Sequence, residues 1–269
     1  MKKVEYGIIL AAGNQKRFNS DRPKALVKYN DVSLLTYNVK LMANYVNNII
    51  VAVNGQNYKW FSDVILEELK DFVHMIDILT IEPWYGCGDA AMQVLEILGP
   101  SLKNSDECIL MWGDSIQDSS ELYELMINDY RKNESKFMMV TPITLEHDPY
   151  VSWHFNDDDT ATGIDWVKYS KSAKTDYGYR DVNIFMFNGI KMLVSLKSIA
   201  AHLVKYNFKY VLIDNLIKDR NGELELSDIV HYIPKWYGWE SKILNVTEYG
   251  IKSKAFNTVE EYQKLMEEK

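Results

Sequence analysis

The stretch 7-GIILAAGNQKRFNSDRPKALVKY-29 joins an apolar run ending in Ala11, Ala12 and Gly13 to a loop carrying five basic side chains between positions 16 and 28. Such a run predicts a buried strand that stops at a sheet edge, and open α/β sheets bind ligands at the carboxyl ends of their strands. Lys16, Arg17, Arg22, Lys24 and Lys28 are opposed within the span only by Asp21, a local charge of about +4. Backbone N–H groups in a turn of small residues form an anion-binding concavity, to which Arg17 and Lys24 add charge-assisted donors suited to phosphate oxygens. The competing reading is a solvated basic loop, because exposed lysines and arginines are common.

The rest of the chain makes that loop an exception. Its 269 residues carry 30 Lys and Arg against 38 Asp and Glu, a net charge of −8. That balance argues against nucleic acid or an anionic membrane as the main partner. With 47% hydrophobic and 25% charged residues, the composition is that of a folded protein. The length suits one α/β domain over 1–269, and no linker divides it. MKKVEYGIIL is too short and too broken by Glu5 to be a secretory h-region, and no run approaches a membrane span. Cys87 and Cys108 lack the dense pattern of secreted scaffolds, which predicts a reduced, cytoplasmic setting.

Working outward, GIILAAG, NNIIVAVNG, HMIDILTIE, ECILMWGD and KFMMVTP read as buried strands bounded by turns. Between them, SLLTYNVKLMANY, FSDVILEELKDF, GDAAMQVLEILGPSL and SSELYELMINDYRK carry apolar residues at helical spacing, with Ser119 or Ser120 as an N-cap. The alternation predicts a doubly wound, mostly parallel α/β sheet of Rossmann-like, GT-A-like type. After about residue 142, YVSWHFN, the turn DDDTATG, IDWVKYS and VNIFMFNG predict a small antiparallel insertion that supplies a second wall. A helix over roughly 190–206, another at SDIVHYI, a strand KILNVTEY and a terminal helix VEEYQKLMEE complete the chain.

The loop is neither a P-loop nor a dinucleotide fingerprint, since GxxxxGK[ST] is absent and Gly13 lacks its companion glycines. Leu10, Ala11, Ala12, Gly13, Arg17, Pro23 and Lys24 do resemble the signature of the sugar-phosphate nucleotidyltransferases. Other segments agree with it in order along the chain. The segment 86-GCGDAA-91 is similar to that family's base-contacting turn, and 110-LMWGDS-115 resembles its metal-holding strand end. The segments 183-NIFMFN-188, 222-GELELSDIVHYI-233 and 255-AFNTVEEYQKL-265 resemble its sugar-site strand, late helix start and closing segment. The likeness is greatest to the uridylyltransferase domains of the N-acetylglucosamine-1-phosphate uridyltransferases, without their acetyltransferase repeats.

The resemblance implies a fold, a reaction and a set of site residues. The part to about residue 142 would bind the nucleotide through Leu10, Ala11, Ala12, Gly13, Arg17, Lys24, Gly86, Cys87, Gly88 and Asp89. The part from about 143 would bind a phosphorylated small-molecule acceptor through Lys168, Lys171 and Asn183. Asp114 and Asn257 would hold Mg²⁺, and Arg17, Lys24 and Asp114 would act as an NTP is attacked and pyrophosphate leaves. The activated product would feed surface glycan synthesis. Whether the chain is a monomer or a homo-oligomer stays open. So does the base, because Trp84 and Cys87 depart from the family pattern, and so does the acceptor, because Lys168 stands near a usual Glu. The aromatic residues Trp153, Trp166, Tyr169, Tyr177 and Tyr179 are suited to stacking on a sugar or surrounding a quaternary ammonium, or to the core. A non-sugar acceptor such as phosphocholine, a polyol phosphate or a phosphonate is the alternative, with cytidylyl transfer. Asp157, Asp158 and Asp159 invite a glycosyltransferase metal site, but the following Thr-Ala-Thr-Gly makes them a turn.

Overall fold

The computed structural model describes residues 1–13, 18, 22–82, 85–117, 119–167, 175–206, 209–212, 223–251, 253–256 and 258–267. Its strands up to the middle of the chain are β1 (Val4–Ala11), β2 (Lys28–Tyr29), β3 (Val32–Ser33), β4 (Val46–Asn54), β5 (Ile76–Ile81), β6 (Glu107–Trp112), β7 (Ser115–Gln117) and β8 (Phe137–His147). They are followed by β9 (Ser152–Phe155), β10 (Ala161–Asp165), β11 (Tyr177–Asp181), β12 (Ile184–Asn188), β13 (Leu203–Tyr206), β14 (Lys209–Leu212), β15 (Glu240–Asn245) and β16 (Ser253–Ala255). The helices are α1 (Leu34–Met42), α2 (Tyr58–Glu68), α3 (Cys87–Leu98), α4 (Glu121–Asn133), α5 (Gly189–Ala201), α6 (Ile229–Tyr237) and α7 (Val259–Glu267).

One mixed sheet organises these elements. β1 lies between β4 and β6 in parallel register, and β5 extends the parallel side beyond β4. β12 runs antiparallel between β6 and β8, and β15 pairs parallel with the other edge of β8. β11 continues the line of β12 along β8, with the Val182 amide donating to Pro142 O at 3.1 Å between them.

Both faces of the sheet are covered, which is why its strands read as unbroken apolar runs. Period two sends Ile8, Leu110 and Phe185 to one apolar cluster and Ile9, Met111 and Met186 to the other. α3, α5 and α6 cover the first face through Val94, Leu196 and Ile233. The second is covered by α1, α2 and α4 through Val39, Phe61 and Met126. A smaller cluster of Phe18, Tyr29, Leu34, Ile116 and Phe256 lies beneath α7.

Two sequence expectations change. VNIFMFNG belongs to the main sheet and not to the insertion, because β12 buries side chains on both faces. The helix over 190–206 ends at Ala201, where the His202 amide donates to Ile199 O, and Leu203–Tyr206 instead pairs with Lys209–Leu212. Of the two candidate caps, Ser119 serves α4, its Oγ accepting from the Glu121 amide at 3.1 Å. The insertion itself is the β9 and β10 hairpin. Its turn holds Asp159 at φ 63° and ties Asp158 to Lys136 at 2.8 Å. That ammonium holds the Asp158 carboxyl at about 2.

Candidate active site

The carboxyl ends of β1 and β6 meet at the centre of the sheet. Small residues permit that meeting: the Gly113 amide donates to Leu10 O at 2.8 Å, and a Cβ at Gly113 would stand 3.0 Å from Ala11 Cβ. The backbone therefore turns closely beneath Ala12 and Gly13, and Asp114 emerges where the strand stops. Asp114 is followed by β7, which pairs antiparallel with β16, Ala255 standing opposite Ser115. A segment near residue 255 is thereby drawn beside the ends of β1 and β6.

Lys24 ties these pieces together. Its side chain is only 8% exposed, and its Nζ lies 3.4 Å from Asp114 Oδ2 and donates to Phe256 O at 2.9 Å. The Phe18 and Phe256 rings each stand 5.9 Å from that ammonium. A buried ammonium requires a carboxylate and carbonyl partners, and the fold supplies both. Asp114 keeps about a third of its side chain exposed, so it faces Lys24 on one side and open space on the other.

The GCG turn at the start of α3 is built for close backbone approach. Gly86 sits at φ 97°, and a Cβ there would stand 2.2 Å from Leu224 O. The Gly88 amide donates to Leu224 O at 2.9 Å, and the Leu224 amide donates to Tyr85 O at 2.7 Å. Cys87 Sγ donates to Glu225 Oε2 at 2.6 Å and accepts from the Leu226 amide at 3.3 Å. Burial, then the Glu225 charge, push the Cys87 thiol well above its usual range. Asp89 turns inward, its Oδ2 accepting from the Tyr85 amide and from Gln93 Nε2.

Beside Asp114 lies a cavity of about 410 Å³. Trp112, Asp114 and Phe256 form one wall, Trp153 and Ile164 of the hairpin another, and Arg180, Asp181 and Asn183 a third. Cys87, Glu223 and Glu225 close it, with Tyr150 and Trp166 at the side. Asp181 accepts from Trp153 Nε1 and from the Asn183 amide, each at 3.1 Å. Burial pushes its carboxyl above the ordinary carboxylate value.

Lys24 and Asp114 are thus in contact, and Asn183 and Cys87 share the cavity with Asp114. Leu10, Ala11, Ala12 and Gly13 lie at the adjoining strand end, whereas Gly86, Gly88 and Asp89 form the turn behind Cys87. Arg17, Lys168, Lys171, Asn257, Tyr169 and Trp84 lie outside the described residues. Of the remaining basic residues, Arg22 lies over the Trp60 ring at 5.4 Å. Tyr177 and Tyr179 line a separate cavity of about 320 Å³. Sequence reasoning missed Asp181, Glu223, Glu225, Trp112 and Tyr150 as cavity residues. For Trp112 and Asp181, their places two residues before Asp114 and Asn183 were available signals; the others reach the cavity only through tertiary contacts.

A doubly wound sheet with a small-residue turn after its central strand, and a carboxylate at the end of the next, belongs to the class of open α/β folds that bind ligands beyond their strand ends. The family model for the MobA-like NTP transferase domain matches residues 7–153, more than half of the chain. The chain belongs to that family and is a nucleotidyltransferase. Its fold is similar to that of the inositol-1-phosphate CTP transferase from T. maritima. The TM-score is 0.66 and the identity 12%, over 97% of this chain and 92% of that one. Among curated protein sequences, none matches. No helix among the described residues is long and apolar enough to cross a membrane.

Proposed function

We propose that the protein transfers a nucleotidyl group from an NTP to a small phosphorylated metabolite, releasing pyrophosphate. The observation that carries this reading is the contact of Lys24 with Asp114 at the joined ends of β1 and β6, on the rim of a cavity of metabolite size. An acceptor phosphate oxygen attacks the α-phosphorus, and the bond to the pyrophosphate oxygen breaks. A phosphate monoester is already ionised near neutral pH, so the chain need only position the reactants and stabilise charge. Lys24, with Arg17, holds the triphosphate; the cavity holds the acceptor.

Mg²⁺ binds through one or two carboxylates and keeps waters and substrate phosphates as its other ligands. Asp114, partly exposed and on the cavity wall, fits that need, and Asn257 follows directly on Phe256 in the chain. Among the described residues no group of three or more His, Cys, Asp or Glu side chains is placed to hold a metal, so an ion at Asp114 would take its other ligands from water and the substrate phosphates. Bound there, the ion would neutralise triphosphate charge.

The test is pyrophosphate release with each NTP, MgCl₂, and a panel of sugar 1-phosphates and phospho-alcohols. At least one pairing should release it. In that pairing Asp114→Asn should lower kcat roughly a hundredfold or more, the scale of one lost electrostatic element, in a sample shown to be folded by circular dichroism. An undiminished rate would remove Asp114 from the reaction.

A second reading, cytidylyl transfer to a non-sugar phosphate, draws on the aromatic walls at Trp112, Tyr150 and Trp166. The T. maritima neighbour, named for CTP and inositol 1-phosphate, points the same way. A nucleotide panel decides it: CTP should then raise the melting temperature more than UTP, ATP, GTP or dTTP.

A further inference from the structure

Taking the transferase reading as given, the charge of the cavity bears on what the acceptor carries besides its phosphate. A phosphorylated acceptor arrives as an anion, yet the described lining is acidic, with Asp114, Asp181, Glu223 and Glu225 set against Arg180. Arg180 is turned to another carboxylate, its Nη1 donating to Glu146 Oε2 at 2.9 Å. Asp114 is answered by Lys24, and Glu225 by the Cys87 thiol and the capping box it forms with Asp228.

Among the described residues neither Asp181 nor Glu223 makes an ion pair, and the neighbouring Arg180 charge only partly offsets the burial of Asp181. The hydrogen bonds that Asp181 accepts come from neutral donors, the Trp153 indole and the Asn183 amide. A half-buried carboxylate so placed bears a desolvation cost that a neutral polyol does not offset and a cation does. Around these charges stand aromatic faces. Trp112 packs on Phe185 with centroids 5.2 Å apart, and Tyr150 meets Trp166 edge to face at 5.9 Å. Rings beside carboxylates form the environment that attracts an ammonium group.

We propose that the acceptor is a phosphorylated small molecule bearing an ammonium group, its phosphate toward Asp114 and its cation held among Asp181, Glu223 and the aromatic walls. The reaction stays the same: the phosphate oxygen bonds to the α-phosphorus, pyrophosphate leaves, and the ammonium is unchanged.

Matched acceptors test this directly. With MgCl₂ and each NTP in turn, phosphocholine and phosphoethanolamine are compared with 3,3-dimethylbutyl phosphate, the neutral isostere of phosphocholine, and with glucose 1-phosphate and inositol 1-phosphate. At least one ammonium acceptor should exceed every neutral one by about tenfold or more in kcat/KM, the scale of a desolvated cation–π contact with charge pairing. Asp181→Asn and, at the exposed rim, Glu223→Gln should each narrow the ratio of phosphocholine to its isostere. Equal or better turnover of a neutral acceptor overturns this inference and leaves the transferase reading standing. A ratio unchanged in both variants overturns it as well. Silence on every acceptor with every NTP overturns the transferase reading, and the inference with it.

Discussion

Cys87 is tied into the turn before α3 from both sides. Where the chain departs from the pattern it resembles, the thiol both donates, to Glu225, and accepts, from the Leu226 amide. Its burial and the neighbouring carboxylate both disfavour the thiolate, and burial does the same at Cys108. The thiolate is the reactive form. Iodoacetamide near neutral pH should therefore label neither cysteine in the native protein, whereas an unfolded sample takes two labels; intact mass reads both. Rapid single labelling of the native protein would contradict the Cys87 geometry. A similar balance holds at Glu68, where burial pushes the carboxyl up but hydrogen bonds from Thr36 and Ser33 outweigh it and hold it below the ordinary value. A depressed carboxyl contributes stability above its unfolded-state value and loses it as pH falls through the folded one. Glu68→Gln should thus lower the urea midpoint at pH 7, and the gap to the parent should close as pH falls below about 4.

Among the elements, the turn into α3 carries the tightest constraint. A Cβ at Gly88 would stand 2.8 Å from the Glu225 carbonyl carbon, and backbone on both sides leaves little room to yield. Gly88→Ala should cost about 1–3 kcal/mol in urea unfolding, and it should weaken acceptor binding, since the displaced segment carries Glu223 and Glu225 to the cavity. A parent-like midpoint would mean that the two segments separate freely. This element also marks the limit of what sequence conveys. Strand periodicity, the small residues after β1 and the Gly-Asp after β6 announce themselves locally, because burial on two faces and close backbone packing dictate residue type. Nothing local says that Leu224 lies on Gly86 and Gly88, or that Asp181 accepts from Trp153. Those pairings follow from the path of the chain between them. β12 was misplaced for a related reason, since a doubly buried antiparallel strand has the same apolar run as a parallel one.

For the whole molecule, the site joins residues far apart in the sequence, Lys24, Asp114 and Phe256. Phe256 is 1% exposed, packs on Phe18 at 5.5 Å and Tyr262 at 5.2 Å, and gives its carbonyl to Lys24. Phe256→Ala should cost about 3–5 kcal/mol if the small cluster behaves as core, read from the denaturant midpoint. A shift below about 1 kcal/mol would show that the segment is held by β7 and β16 alone. The tie between Lys24 and Phe256 spans 232 positions, and this has a consequence for synthesis. On the ribosome, the parallel strands β1, β4, β5 and β6 can pair once little more than the first hundred residues have emerged. Lys24 must then wait, its ammonium without the Phe256 carbonyl, until the segment around residue 256 has been translated. Nucleotidyl transfer should accordingly appear abruptly once that segment has emerged, so that shorter nascent chains hold a sheet but spend no NTP.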